Sequence, residues 1–280
     1  MSFNIWVGGE PGGQPLEQTV RVIRESNADI VGMQEVRGQA KDRKRPDNGA
    51  KIAEMLGWHY FNQGSSTSIL SRWPIKSKTP NKWGARIAVS ESIDLFVFNV
   101  HFPASPYQPY QLLGIPYGNA PFIKTEDEAI DWAKKSRGKQ VASLLDELTP
   151  VAKAGKAVVV TGDFNEPSHQ DWTDRAALAG RCPIRVAYPS TKSLTDLGLS
   201  DSFRTVHVDE VTNPGWTWTP TTKPSDPKDK HDRIDFVFAG GANVKVLDSK
   251  VVGESKENAQ VVVTPWPSDH RAVITTLSIE

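Results

Sequence analysis

Between Ala157 and Pro167 the chain reads Ala-Val-Val-Val-Thr-Gly-Asp-Phe-Asn-Glu-Pro, a β-branched apolar run that stops abruptly at oxygen-bearing side chains. Ala157–Val160 carries no charge, so it fits a central strand covered on both faces, and Gly162 permits a tight exit from it. Asp163 and Asn165 lie two residues apart, which in extended chain points both to one side while Phe164 turns back toward apolar packing. A carboxylate and an amide facing one way can activate a water and hold an anionic oxygen, as phosphoryl transfer or hydrolysis requires. The same residues also suit a plain turn capped by Asp and Asn.

The pattern of an apolar run ending in a polar residue recurs. Ile30–Met33 reads as a strand that delivers Glu35, Leu95–Val100 as one that ends in His101, and Arg233–Phe238 as one that contains Asp235. Phe3–Val7 reads as an inner strand in which Asn4 is out of place: a buried amide is either satisfied in the core or an oxygen ligand at a site. The loop Pro265–His270, with Asp269 and His270, precedes a last strand at Ala272–Ile279. Ser68–Ser71, Arg86–Val89 and Val244–Val252 are further strands, and Trp216 and Trp218 in Gly215–Pro220 have the period of a strand with one aromatic face. Leu16, Val20 and Ile23 recur at helical spacing, and helices are also expected at Lys51–Leu56, Glu126–Leu148 and Asp171–Leu178. No internal repeat or long linker divides the chain, so residues 1–280 read as one domain.

Thirty-three basic residues balance thirty-three acidic ones, so no global field draws the protein to nucleic acid or anionic membrane. The densest basic stretches, Lys41–Arg45 and Lys223–Lys230, are interrupted by acids and prolines, unlike the stripe a duplex-gripping nuclease carries. The single cysteine, Cys182, excludes an internal disulfide framework and sits in no metal-ligand spacing. No apolar run approaches the roughly 20 residues of a membrane helix. The first strand lies almost at the first residue, which fits a cytoplasmic protein and equally a secreted one whose leader has been removed; the compartment stays open. A monomer is expected.

Phe102–Phe122 interleaves Pro103, Pro106, Pro109, Pro116 and Pro121 with Tyr107, Tyr110 and Tyr117. So much proline predicts irregular chain, and an aromatic excursion of this length inside a compact domain suits a lid or substrate wall. Its rings, with Trp6 close to Asn4, favour a small headgroup such as a sugar, inositol, nucleoside or lipid phosphate. His59, His169 and His207 are read as structural, and His231, beside Asp232-Arg233, as a substrate-binding candidate.

The polar strand ends fall in a telling order: Phe3-Asn4-Ile5-Trp6, Gln34-Glu35-Val36, Asn99-Val100-His101-Phe102, Gly162-Asp163-Phe164-Asn165, Asp201-Ser202-Phe203-Arg204, Arg233-Ile234-Asp235-Phe236 and Ser268-Asp269-His270-Arg271. Across the whole chain this resembles the endonuclease/exonuclease/phosphatase superfamily, which includes deoxyribonucleases, abasic-site endonucleases, sphingomyelinases and inositol polyphosphate 5-phosphatases. The resemblance implies an α/β fold, a four-layer sandwich of two mainly antiparallel sheets packed face to face with helices outside. It implies a divalent metal, Mg²⁺ first with Mn²⁺ or Ca²⁺ as alternatives, held mainly by Glu35 with Asn4 and Asp269 completing or relaying the coordination. Asp163 would orient or deprotonate the attacking water, Asn165 would steady a phosphate oxygen, and Asp235 would pair with His270. His101 stands where the family has histidine or tyrosine, closer to the deoxyribonuclease and sphingomyelinase branches. The expected activity is a metal-dependent phosphodiesterase acting on a small-molecule or lipid phosphodiester. A nuclease of the deoxyribonuclease or abasic-site type is the alternative. A non-catalytic phosphate-binding module is the rival from another class, disfavoured because Glu35, Asp163, Asp235 and His270 are all present. Trp6, Tyr107, Tyr110, Tyr117 and His231 are the expected substrate contacts.

Overall fold

The computed structural model describes residues 1–280. The chain opens with β1 (Ser2–Asn4), a distorted helical turn α1 (Trp6–Gly9), α2 (Leu16–Glu25), β2 (Ile30–Gln34), α3 (Asn48–Leu56), β3 (His59–Asn62) and β4 (Thr67–Ser71). Then come β5 (Ile75–Lys78), β6 (Gly84–Ala88), β7 (Asp94–His101), α4 (Gln108–Leu113), α5 (Glu126–Lys153) and β8 (Val158–Asp163). The remainder runs α6 (Asp174–Leu178), α7 (Pro189–Asp196), β9 (Ser200–Asp201), α8 (Ser202–Val206), β10 (Asp235–Gly240), β11 (Val244–Gly253), β12 (Val261–Val262) and β13 (Ala272–Ile279).

These strands form a seven-stranded sheet, β12-β11-β13-β1-β2-β4-β3, and a six-stranded sheet, β5-β6-β7-β8-β10-β9. Both are mixed: β1–β2, β11–β12 and β7–β8 pair in parallel and the other neighbours antiparallel. Phe61, Ile69 and Val273 of one sheet pack between the layers with Ile87, Val97, Val159 and Val237 of the other. Outside the first sheet α2 and α3 bury Val20, Ile23 and Ile52 against Phe3, Val31 and Met33. Outside the second, α5 and α7 bury Leu144, Leu148 and Leu194 against Val160, Phe236 and Phe238. Helix, sheet, sheet and helix therefore stack in four layers, each apolar face covered by the next.

Strand register gathers the polar ends. His101 and Asp235 flank Asp163 from opposite sides, and Asn4 pairs with Gln34, the residue before Glu35. Just beneath, a buried polar layer ties the sheets: Gln34 Nε2 donates to Asn99 Oδ1 (2.6 Å), and Asn99 Nδ2 donates to the carbonyls of Met33 (3.0 Å) and Ser68 (3.1 Å). Gly32 lies in this layer because any side chain there would overlap Thr161 Oγ1 and Asn99 Oδ1.

Three expectations are corrected. The first strand stops at Asn4 and does not run to Val7, because Trp6 and Val7 adopt positive φ and the Val7 N–H turns to Glu35 Oε2 (2.8 Å). Gly215–Pro220 is not a strand; Trp218 alone makes isolated bridges, to Asp232 and His270. The proline-rich excursion contains a short helix, α4, with Pro109 in its first turn, where a missing N–H leaves no bond unmade.

Candidate active site

Eight polar residues at or beside strand ends meet at one rim of the sandwich. Asn4 is fully buried and donates Nδ2–H to Asp163 Oδ2 (2.9 Å) and Glu35 Oε1 (3.3 Å), while its own Oδ1 accepts from the Trp6 N–H (3.0 Å). Through these two bonds Asn4 orients the two acids. Glu35 follows β2 at φ 57°, which swings its carboxylate out of the ladder and leaves 28% of the side chain exposed. Asp163, buried at the end of β8, also accepts at Oδ1 from the Asn165 N–H (2.8 Å). Asn165 adopts φ 47° and gives its amide protons to the Phe102 carbonyl (3.0 Å) and Asp163 Oδ2 (3.3 Å). In this arrangement Asn165 steadies Asp163, with no free proton turned to a ligand.

Two histidines face the same carboxylate. His270 Nδ1 lies 2.9 Å from Asp235 Oδ2 and its Nε2 3.7 Å from Asp163 Oδ2; His101 Nε2 lies 3.5 Å from that oxygen. Burial by itself would lower the His270 pKa, but the charges of Asp235 and Asp163 outweigh it and push the imidazole up to about 10. His270 is thus a cation at neutral pH, with the Nδ1 proton directed to Asp235 and the Nε2 proton left for the cleft. Behind the pair, Thr217 Oγ1 accepts from the Asp235 N–H (3.1 Å), and Arg233 is clamped by Asp171 and Asp201 (2.9 and 2.8 Å). The Asp201-to-Arg204 motif therefore serves to hold the entry to β10.

Asp269 Oδ1 is buried without any hydrogen-bond partner, and burial, with the charge of Glu35 adding to it, pushes its carboxyl up to about 6. An orphaned carboxylate oxygen beside the partly exposed Glu35 is what a hard cation would satisfy, so these two acids fit an oxygen-ligated ion. Ligand atoms of Asp163, Asp235 and His270 also lie within 4.8 Å of one another. That group fits a metal less well, because His270 is held protonated and its Nδ1 is committed to Asp235.

Above these groups opens a cleft of about 340 Å³ lined by Trp6, Tyr107, Tyr110, Tyr117 and Trp218 as well as Glu35, Asp163, Asn165, Asp269 and His270. No Lys or Arg lines it. His231 does not reach it: its Nε2 bonds Thr222 Oγ1 (2.9 Å) and its ring packs edge-on against Trp216. Trp218 was missed as a site residue. It packs against His270 with centroids 5.0 Å apart, and its period-two spacing with Trp216 pointed to a strand with one aromatic face, an element this segment does not form.

The profile of the Endonuclease/Exonuclease/phosphatase family matches residues 1–270. A Caenorhabditis elegans protein described as "Uncharacterized protein F14F9.5" is 27% identical over 300 residues, covering 98% of this chain and 88% of its own length. An endonuclease/exonuclease/phosphatase from Beutenbergia cavernae superposes with TM-score 0.61 at 19% identity, over 99% of this chain and 70% of that one. An AP endonuclease from Archaeoglobus fulgidus superposes with TM-score 0.57 at 17% identity, over 98% and 97%. At such identities these structures speak for the fold.

Proposed function

Because the chain belongs to the endonuclease/exonuclease/phosphatase family, whose members are phosphoric ester hydrolases, we propose that it cleaves a small-molecule or lipid phosphodiester by in-line attack of water. The observation that carries this reading is the row Asp235–His270–Asp163 on the cleft floor, a cationic imidazole between two carboxylates. Asp163, fixed by N–H donors from Asn4 and Asn165, accepts a proton from the attacking water and aligns it. His270 donates its Nε2 proton toward a non-bridging phosphoryl oxygen, and Asp235 holds the ring in that tautomer and orientation. His101, with 23% of its side chain exposed and its Nε2 3.5 Å from Asp163 Oδ2, stands beside this row at the end of β7 as a second imidazole. Enzymes of this family depend on a divalent metal, and Glu35 and Asp269 would hold it here. Mg²⁺ is the first choice, with Mn²⁺ or Ca²⁺ as alternatives, and when bound it neutralises charge on the phosphoryl group.

The nuclease alternative needs Lys and Arg beside the cleft to neutralise successive phosphates, and the lining offers none. The test is hydrolysis of bis(p-nitrophenyl) phosphate with Mg²⁺ or Mn²⁺, with and without chelator. Turnover that chelator abolishes and added metal restores is the expected result. Phosphate binding without turnover under any divalent ion would make the chain a non-catalytic module instead.

A further inference from the structure

An aromatic wall beside a phosphate site is ambiguous about what it recognises. Tyrosine and tryptophan have polar tips suited to sugar hydroxyls, and ring faces suited to flat ligands. In this cleft three of the five tips, those of Tyr107, Tyr110 and Trp218, are already engaged elsewhere. Tyr107 donates its hydroxyl proton to Asp232 Oδ2 (2.9 Å), Tyr110 donates to Asp229 Oδ1 (2.5 Å), and the Trp218 indole N–H also reaches Asp229 Oδ1 (3.2 Å). Neither Asp229 nor Asp232 lines the cleft. Both acids are themselves fixed, Asp232 by the indole N–H of the buried Trp172 (3.0 Å), Asp229 by Thr222 Oγ1 (2.5 Å) and the Lys230 N–H (2.7 Å).

With these tips drawn away, mainly ring carbon faces the ligand. Tyr107, Tyr110 and Tyr117 pack edge to face, with centroids 4.9 and 5.7 Å apart and interplanar angles of 89°, which makes the three rings one stiff panel. The one amide in the lining, Asn165, has both side-chain protons committed, and there is no Lys or Arg for a second phosphate. Away from the acids of the floor, a hydroxyl-rich headgroup would lose its water along this wall for few partners in return, whereas a flat group of low polarity would lose little and bury its face.

We infer that the substrate carries a single phosphate joined to a flat group of low polarity, a nucleobase or an aryl ring, which lies against the panel formed by Tyr107, Tyr110, Tyr117 and Trp218. This narrows the phosphodiesterase reading above and rests on it. Inositol and sugar headgroups are the wrong chemistry for such a wall.

The test separates binding from turnover. Calorimetric affinities in Mg²⁺ are measured for thymidine 5′-monophosphate, phenyl phosphate, methyl phosphate and myo-inositol 1-phosphate, alongside hydrolysis of bis(p-nitrophenyl) phosphate. At least one of the two flat esters should bind roughly tenfold or more tightly than methyl phosphate, the scale of one base–aromatic stack. The inositol ester should bind no better than methyl phosphate. Which flat ester wins distinguishes a nucleobase from an aryl source. In Asp229→Ala, which frees the Tyr110 hydroxyl and the Trp218 N–H, the ratio of flat-ester to inositol-ester affinity should fall at least threefold; if that variant does not fold, Trp218→Ala is read by the same ratio. Equal affinities for all four ligands, or a preference for inositol 1-phosphate, would overturn the inference. A flat-ester preference without turnover of the aryl diester would instead sink the catalytic reading and leave the binding specificity standing.

Discussion

The floor and the wall of the cleft are built by different means. On and just around the floor, Asp163 and His101 end strands, Asp235 begins one, and Glu35 follows one directly, so backbone ladders set their positions. A one-residue slip of β8 against β7 or β10 would turn Asp163 to the other face, and the buried layer of Gln34, Asn99 and Thr161 resists that slip. The wall has no ladder. Most of its rings come from two segments outside the sheets, residues 102–122 with the short helix α4 and residues 215–232, and their order depends on side-chain bonds to Asp229 and Asp232. The groups proposed to react thus sit where the fold tolerates least change, and the surface proposed to select a ligand sits where it tolerates more. The two functions should separate under mutation.

The largest effect should follow from breaking the floor. His270→Ala is expected to lower kcat by about 10²–10⁴, as loss of a positioned proton donor does. Asp235→Asn should cost a similar factor, and the double variant should be scarcely worse than either, because groups that act as a unit are not additive. Additive losses in steady-state kinetics would show that Asp235 and His270 do not work together.

Next in size is the inner edge of the wall. Tyr107 is only 5% exposed and satisfies Asp232, so Tyr107→Ala should cost about 3 kcal/mol of stability, and Tyr107→Phe about 1–3 kcal/mol for the lost partner. Tyr117 is 43% exposed, and Tyr117→Ala should leave the denaturant midpoint nearly unchanged while raising KM for a flat substrate. Equal stability losses at both positions would mean that the panel is all packing.

A smaller effect is expected one layer behind the floor. Asn4 orients Glu35 and Asp163, and groups that orient metal ligands typically matter by about 10- to 100-fold in metal affinity or activity. Asn4→Ala should raise the Mg²⁺ concentration for half-maximal activity by that order. An unchanged metal requirement would move the metal away from Glu35.

The floor was legible in the sequence because its logic is local: a β-branched run ending in Asp163, His101 or the residues before Glu35 declares both strand and exit. The sequence also pointed to Tyr107, Tyr110 and Tyr117, since only an unusual stretch interleaves proline and tyrosine so densely. What pins the wall was not legible. Asp229 sits in a charged, surface-like loop and becomes a partner of Tyr110 only through a contact 119 residues away in the chain. Trp218 reaches His270 through isolated bridges, which no periodicity encodes. The strand expected from Arg233 starts at Asp235, because the Ile234 N–H is taken by the Thr217 side chain (3.0 Å) and not by a neighbouring strand. His59–Asn62 and Ile75–Lys78 escaped notice as edge strands with mostly polar residues, and α7 because its Ser and Thr suit turns as well as helix.

The least effect should come from a pair that abuts the floor without touching the cleft. Arg271 follows His270, is 2% exposed, and gives Nε–H to Glu254 Oε2 (2.8 Å) and Nη1–H to the Trp216 carbonyl (3.0 Å). Burial would raise the Glu254 carboxyl, but the hydrogen bonds and charge of Arg271 outweigh it and hold the group below its ordinary value of 4.5. A pKa depressed by folding means that the pair's stabilisation is present above that ordinary value and is lost as pH falls through the folded one. At pH 7 Glu254→Gln should therefore cost about 1 kcal/mol, the upper end for a pair with a partly exposed carboxylate. The gap between variant and native protein in urea unfolding should close as the pH is taken well below 4.5. Because Glu254 meets Arg271 on the side away from the substrate, kcat at pH 7 should move far less than in His270→Ala. A gap that stays constant with pH would show that Glu254 stabilises by packing alone. A large fall in kcat would show that the ladder does not hold the floor by itself, and that Arg271, pulled by Glu254, sets where His270 stands.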